Sequence, residues 1–246
     1  MERLFFRGSI KPDCETSAAG VMLDRQKYVI GVTGIGAGAG ATFAAMGMAF
    51  IMGKMTSGVT YLEGQPHRKD CVSPYRLLAV DRAFRHIAEK DRSSAGRLNL
   101  YKKVNWQVYK PWEQEEGCRS QDYRQAVGKI IIVDNPYCFD DLDLVVAVVD
   151  PFPPAVSAGL ETFVMLRRFH DKESAARRKV IWLLNKSDGS VACRETEKYL
   201  KIKFDFEQRL IPQEIFYRSA YSCTQPFFMY EAEGLSSMAL SILEEI

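Results

Sequence analysis

The chain has 246 residues, 47% of them hydrophobic, with a formal net charge of +2 and a pI of about 8.1. That length suffices for one substantial core, and the near-neutral charge gives no compositional sign of a polyanion binder, so a DNA-binding role is not expected. Cys14, Cys71, Cys118, Cys138, Cys193 and Cys223 are scattered, with no CxxC and no Cys/His cluster at zinc spacing. They read as reduced thiols in a cytoplasmic protein, with Cys138 and Cys193 as small core residues.

In chain order, residues 1–26 read as an N-terminal extension or edge segment, with no signal-peptide pattern. From Val29 to Gly53 the chain is uncharged for 25 residues, long enough to cross a bilayer. Seven of these residues are glycine, most of them within 31–40, which penalises a membrane helix. A buried strand (Lys27–Thr33), a glycine loop (Gly34–Gly40) and a buried helix (Ala41–Met55) account for the run better, and no direct membrane insertion is expected.

Val59–Leu62 reads as a second strand and Cys71–Asp91 as one or two helices with basic outer positions. Val104–Tyr109 reads as a strand and Gln121–Val127 as a short helix. Lys129–Val133 is a β-branched strand ending in Asp134, Leu144–Val149 another buried strand, and Pro154–Arg168 an amphipathic helix. Val180–Leu184 is a strand followed by Asn185, Cys193–Leu200 a helix, Phe204–Ile211 holds a short strand, and Met238–Ile246 closes the described pattern as a helix. Strands alternate with helices, and the central strands are apolar throughout. This predicts an α/β fold: a single three-layer domain over 27–246, its mostly parallel central sheet flanked by helices.

The loop reads GVTGIGAGAGATFAA from Gly31 to Ala45. A strand–glycine loop–helix order suits an anion, because glycines permit tight turns and amides at a helix N-terminus face the ligand. Gly40-Ala41-Thr42 stands where a P-loop ends in Gly-Lys-Thr, with Ala41 in the lysine position and Thr42 supplying the metal-ligating hydroxyl. Gly34-x-Gly36-x-x-Ala39, with Glu63 ending the next strand, also allows a dinucleotide site, and a purely structural turn is a third reading.

The later residues favour the first reading. The chain resembles the MinD/ParA group of P-loop ATPases, including the Tad pilus localisation ATPases, over Lys27–Ile246. Val32–Ala45 is similar to the group's deviant P-loop, keeping Gly38, Gly40 and Thr42 but carrying Gly36 and Ala41 where lysines are expected. Val59–His67 is similar to the strand that ends in the acidic-x-acidic-Pro motif, with Glu63 and Gln65 at the acidic positions. Lys129–Pro136 (KIIIVDNP) resembles the Walker B strand. Asn185-Lys186, then Ile211-Pro212, resemble the late base-side elements.

The resemblance implies ATP and Mg2+ as cofactors. Gly36, Gly38, Gly40, Ala41, Thr42, Asn185 and Pro212 would lie around the nucleotide. Thr42 and Asp134 would attend the metal, and Gln65 and Asp134 would occupy the catalytic positions. It further implies a homodimer serving as a positioning or scaffold factor, with a protein partner in an assembly machine such as a pilus or secretion apparatus.

Loss of the loop lysine removes a cation whose kind is commonly worth roughly 10³-fold or more in phosphoryl transfer. Lys54 is about 20 Å of helix rise away and cannot replace it. Weak or no hydrolysis is therefore expected. Asn185-Lys186-Ser187-Asp188 also spells the guanine-reading NKxD of GTPases, although the DxxG element is missing; adenine is the favoured base.

Overall fold

A computed structural model describes residues 27–63, 98–100, 104–108, 123–136, 139, 142–173, 179–222 and 230–246. The expected helices in Cys71–Asp91, together with Gln65 and residues 1–26, lie outside them.

The strands are β1 (Tyr28–Ile35), β2 (Val59–Glu63), β3 (Leu98–Leu100), β4 (Val104–Val108), β5 (Ile130–Asp134), β6 (Leu144–Val149), β7 (Lys179–Ser187) and β8 (Phe206–Arg209). They form one sheet in the order β3-β4-β2-β5-β1-β6-β7-β8. Every pairing is parallel except the antiparallel edge pair β3–β4. The helices are α1 (Ala41–Met55), α2 (Pro153–Ala158), α3 (Leu160–Glu173), α4 (Val191–Leu200), α5 (Gln213–Ser222) and α6 (Glu233–Glu245), with a 3-10 turn at Tyr123–Gln125.

Alternate residues of the central strands feed two separate cores. Ile30, Val32, Ile132, Val146 and Leu183 pack with α1 and α6 on one face. Val29, Ile131, Val133, Val145 and Trp182 pack with Val156 of α2 and Phe163 and Leu166 of α3 on the other. Both faces are covered, which explains why β6 is apolar at every position, β5 at every position before Asp134, and both are buried throughout. Cys193 is buried, as its sequence context suggested.

The uncharged run Val29–Gly53 is thus strand, loop and 15-residue helix. Among the described residues no helix is long and apolar enough to cross a membrane. Where one helix was expected over Pro154–Arg168 there are two, separated at Gly159. A Cβ on Gly159 would sit 2.4 Å from the Gly36 nitrogen and 2.6 Å from the Ile35 carbonyl carbon. The break in the helix is where it presses against the end of β1.

Helices leave β1 and β6 toward opposite faces of the sheet, α1 to one and α3 to the other. Since β1 and β6 are neighbours, the strand order switches between them, and the C-terminal ends of the strands at such a switch point are the usual position for ligands in open α/β sheets.

Candidate functional site: a glycine nest at the C-terminal sheet edge

Gly36, Gly38 and Gly40 occupy the left-handed region, with φ of 86°, 80° and 94°, while Ala37 and Ala39 between them do not. Alternation of hand from residue to residue turns successive N–H groups toward one side and makes a concave anion-binding nest. Gly40 is the N-cap of α1, and its end carries no side-chain cap, so the partial positive charge of the helix N-terminus adds to the nest.

The glycines differ in their surroundings. A Cβ on Gly36 would stand 2.3 Å from the Ala155 carbonyl oxygen, and one on Gly40 would stand 2.3 Å from Asn185 Nδ2. For Gly38 no atom of the described residues lies within 4 Å of the Cβ position. The loop is wedged on both sides and open in the middle. Polyphosphate suits this arrangement: a row of backbone amides with open space at Gly38 among the described residues.

Ala41 is 7% exposed and belongs to the core between the sheet and α1, so the position aligned with a P-loop lysine offers a methyl group and no charge. Thr42, in the first turn of α1, is partly exposed. Asp134 ends β5, in register with Val32 of β1, and is fully buried. Its Oδ2 accepts a hydrogen bond from the Tyr61 hydroxyl at 2.8 Å, and its Oδ1 accepts one from Asn135 Nδ2 at 2.7 Å. Asn135 is held in the left-handed region at φ 52°. Thr42 and Asp134 bring the hydroxyl and carboxylate oxygens that a magnesium ion and its water shell would take.

Asn185 is buried, and its Nδ2 donates to the Ala39 carbonyl oxygen at 2.8 Å. Its amide N–H therefore binds the glycine loop. Asp188, the last residue of the NKxD sequence, is exposed and turned back on its own chain, with Oδ1 accepting from the Ser190 nitrogen at 2.9 Å. Hydrogen bonds from the Ser190 side chain and then its backbone hold the Asp188 carboxyl below its ordinary value of 3.8. Pro212 is exposed where β8 leads into α5, at the same sheet edge but three strands from β1. The structure thus gathers Gly36, Gly38, Gly40, Ala41 and Asn185 around one loop, with Asp134 at the end of neighbouring β5, paired with Val32, and Pro212 at the periphery.

One residue of the site was not among those anticipated. Lys186 Nζ donates to the Gly38 carbonyl oxygen and to Asp150 Oδ2, both at 2.7 Å. Asp150 follows β6 and accepts the Phe152 N–H at 3.0 Å through Oδ1. The NKxD reading named this lysine by type, and only the fold shows its target. Cavities elsewhere do not bear on the site: the space of about 490 Å³ bounded by Tyr28, Met55, Ser57, Lys129, Leu243 and Ile246 opens at the opposite, N-terminal ends of β1 and β5.

Comparison with solved structures defines the class. The fold matches a ParA family ATPase from Chlorobium tepidum TLS (15% identity, 88% of this chain and 97% of that chain, TM-score 0.54). It matches a putative plasmid partition protein from Borrelia burgdorferi B31 bound to AMPPNP (12% identity, 90% and 100%, TM-score 0.63). It also matches the MinC:MinD cell division protein complex of Aquifex aeolicus (13% identity, 89% and 96%, TM-score 0.60). No family model matches the sequence, and no curated protein matches it either. The chain has the MinD/ParA-like P-loop ATPase fold.

Proposed function

We propose that this chain is a degenerate MinD/ParA-like nucleotide-binding protein, cytoplasmic and dimeric, that acts as a positioning or scaffold factor with weak or no ATP hydrolysis. The observation that carries the reading is the glycine nest: three left-handed glycines, open at Gly38, running into an uncapped helix N-terminus whose first residue is Ala41. This geometry binds phosphate oxygens through backbone dipoles. At the lysine position of a working P-loop it carries Ala41, so that position supplies no cation to follow the transferring oxygens.

ATP would lie with its phosphates over residues 36–42. Thr42 and Asp134 would hold magnesium, which supplies positive charge to the phosphates when bound. The plasmid partition protein of the same fold binds AMPPNP, which supports an adenine nucleotide here, as does the engagement of Asp188 by its own turn in place of a free guanine-reading carboxylate.

Assembly at this edge is supported by Phe152, Val191 and Leu210, which follow β6, β7 and β8 and are 61%, 61% and 51% exposed. They lie exposed beyond the C-terminal ends of these strands, where a second copy would cover them. The MinD of the MinC:MinD complex shows that a chain of this fold can engage a protein partner. A pilus or secretion assembly is the setting that the Tad-type resemblance suggests.

The test is calorimetric titration of the full chain with Mg-ATP, ADP, GTP and NAD, with mass measured in parallel. Adenine-nucleotide binding, a dimer and turnover no faster than background are expected. Silence for every nucleotide, preferential NAD binding, or turnover that Asp134→Ala abolishes would each overturn the reading.

A further inference from the structure

The pairing of β7 with β8 steps irregularly: Leu184 faces Glu207, and three residues later Ser187 faces Arg209 only two residues on. β7 therefore carries one extra residue. Lys186 lies within this bulge at φ 57°, a left-handed conformation that a lysine rarely takes. Bulges beside sites re-aim a side chain, and this one aims Lys186 across β6 onto the glycine loop.

The result is a two-point grip. Asn185 Nδ2 donates to the Ala39 carbonyl and Lys186 Nζ to the Gly38 carbonyl. Consecutive residues of β7 thus hold consecutive carbonyls of the loop. Asp150, 8% exposed, anchors the lysine from the other side. In a nest the carbonyls turn away from the concave face, so fixing them from behind fixes the direction of the amides in front. An ordinary surface ion pair would need neither the bulge nor the left-handed backbone.

We propose that Lys186 is the positioning residue of the loop: its ammonium latches the Gly38 carbonyl and keeps the anion nest formed before any ligand arrives. The latch stands on the geometry alone. Its consequence for binding rests on the phosphate-binding reading above.

The experiment compares full-length wild type, Lys186→Met and Lys186→Arg by hydrogen exchange without ligand and by titration with inorganic pyrophosphate and Mg-ATP. Amides 130–134 of β5 serve as the folding control. In Lys186→Met, exchange at residues 37–41 should rise about 10-fold and pyrophosphate affinity fall about 10-fold, as expected for losing one charge-assisted hydrogen bond. The β5 amides should be unchanged, and Lys186→Arg should keep most of both properties.

Unchanged loop exchange in Lys186→Met would overturn the latch, as would an arginine variant as loose as the methionine one. A loosened loop with undiminished pyrophosphate affinity would overturn its preorganising role. If wild type binds neither ligand while Lys186→Met still loosens the loop, the phosphate reading fails and the latch stands.

Discussion

Substituting alanine at two glycines of the same loop separates the loop's fold from its binding face. At Gly38, with φ 80° and no atom of the described residues within 4 Å of the new Cβ, the cost is that of a left-handed alanine, about 1–2 kcal/mol. At Gly36 the same backbone cost applies at φ 86°, and the Cβ also meets the Ala155 carbonyl oxygen at 2.3 Å. That oxygen is backbone within α2 and cannot rotate away. Overpacking of this kind adds about 1–3 kcal/mol, for a total of about 2–5 kcal/mol. In a domain of this size each kcal/mol shifts Tm by about 2–4 °C. Gly38→Ala should therefore lose about 2–8 °C and Gly36→Ala about 4–20 °C, read by thermal unfolding monitored by circular dichroism. On the proposed placement of phosphate over residues 36–42, the Gly38 methyl crowds the anion, so the milder variant should nonetheless lose pyrophosphate and Mg-ATP binding in calorimetry. Equal Tm losses at the two positions would refute the packing argument. Wild-type affinity in Gly38→Ala would refute the placement of the anion.

Tyr61→Phe removes the hydroxyl donor from a fully buried carboxylate, and urea unfolding at neutral pH should show a loss of about 1.5–3 kcal/mol; a loss near zero would mean that Asp134 does not depend on that bond. Asn185→Ala leaves the buried Ala39 carbonyl without its 2.8 Å donor and should cost about 1–3 kcal/mol by the same assay, with faster exchange at residues 37–41 than in wild type. Burial first, then the charges of Asp143 and Glu245, hold the Tyr28 phenol above its ordinary value of 10.0. The fold therefore favours the neutral phenol: this contribution is intact below pH 10.0 and is lost as pH rises through the higher folded value. Wild type should consequently lose stability above pH 10 more steeply than Tyr28→Phe, measured as urea midpoints between pH 9 and 11.

Elements whose signals are local matched the sequence closely. The bounds of α1 follow from Gly40 before it and Thr56 after it, and β6 was expected at the residues where it occurs. The mostly parallel three-layer sheet followed from strands apolar on both faces. Features set by tertiary contact were less legible. β1 runs on through Gly34 and Ile35 because these pair with Val148 and Val149, although a glycine there reads as the start of the loop. The helix break at Gly159 exists to admit the end of β1, and nothing in the amphipathic pattern around it signals that contact. β3 has three residues and no pattern to find. In the site, the resemblance pointed to Asn185 and the loop glycines, and Asn185 does reach the loop through the Ala39 carbonyl. Lys186 was visible only as a letter of a motif, because a bulge in one strand determines where its ammonium goes.

That bulge bears on what kind of protein this is. Catalysis requires interactions that strengthen as the transition state forms, whereas groups that hold ground and transition states equally well increase occupancy without increasing rate. A P-loop lysine belongs to the first kind, since it can track the oxygens of the transferring phosphoryl group. Lys186 is of the second kind: its ammonium is tied to a backbone carbonyl and to Asp150, and it acts on the loop. Asp134, with a tyrosine hydroxyl on one oxygen and an asparagine amide on the other, is likewise engaged by fixed protein donors. On the proposed reading, Lys186 stabilises a preformed cradle and Asp134 is a fixed acceptor at the end of the neighbouring strand. Such a site would hold a nucleotide without needing to cleave it.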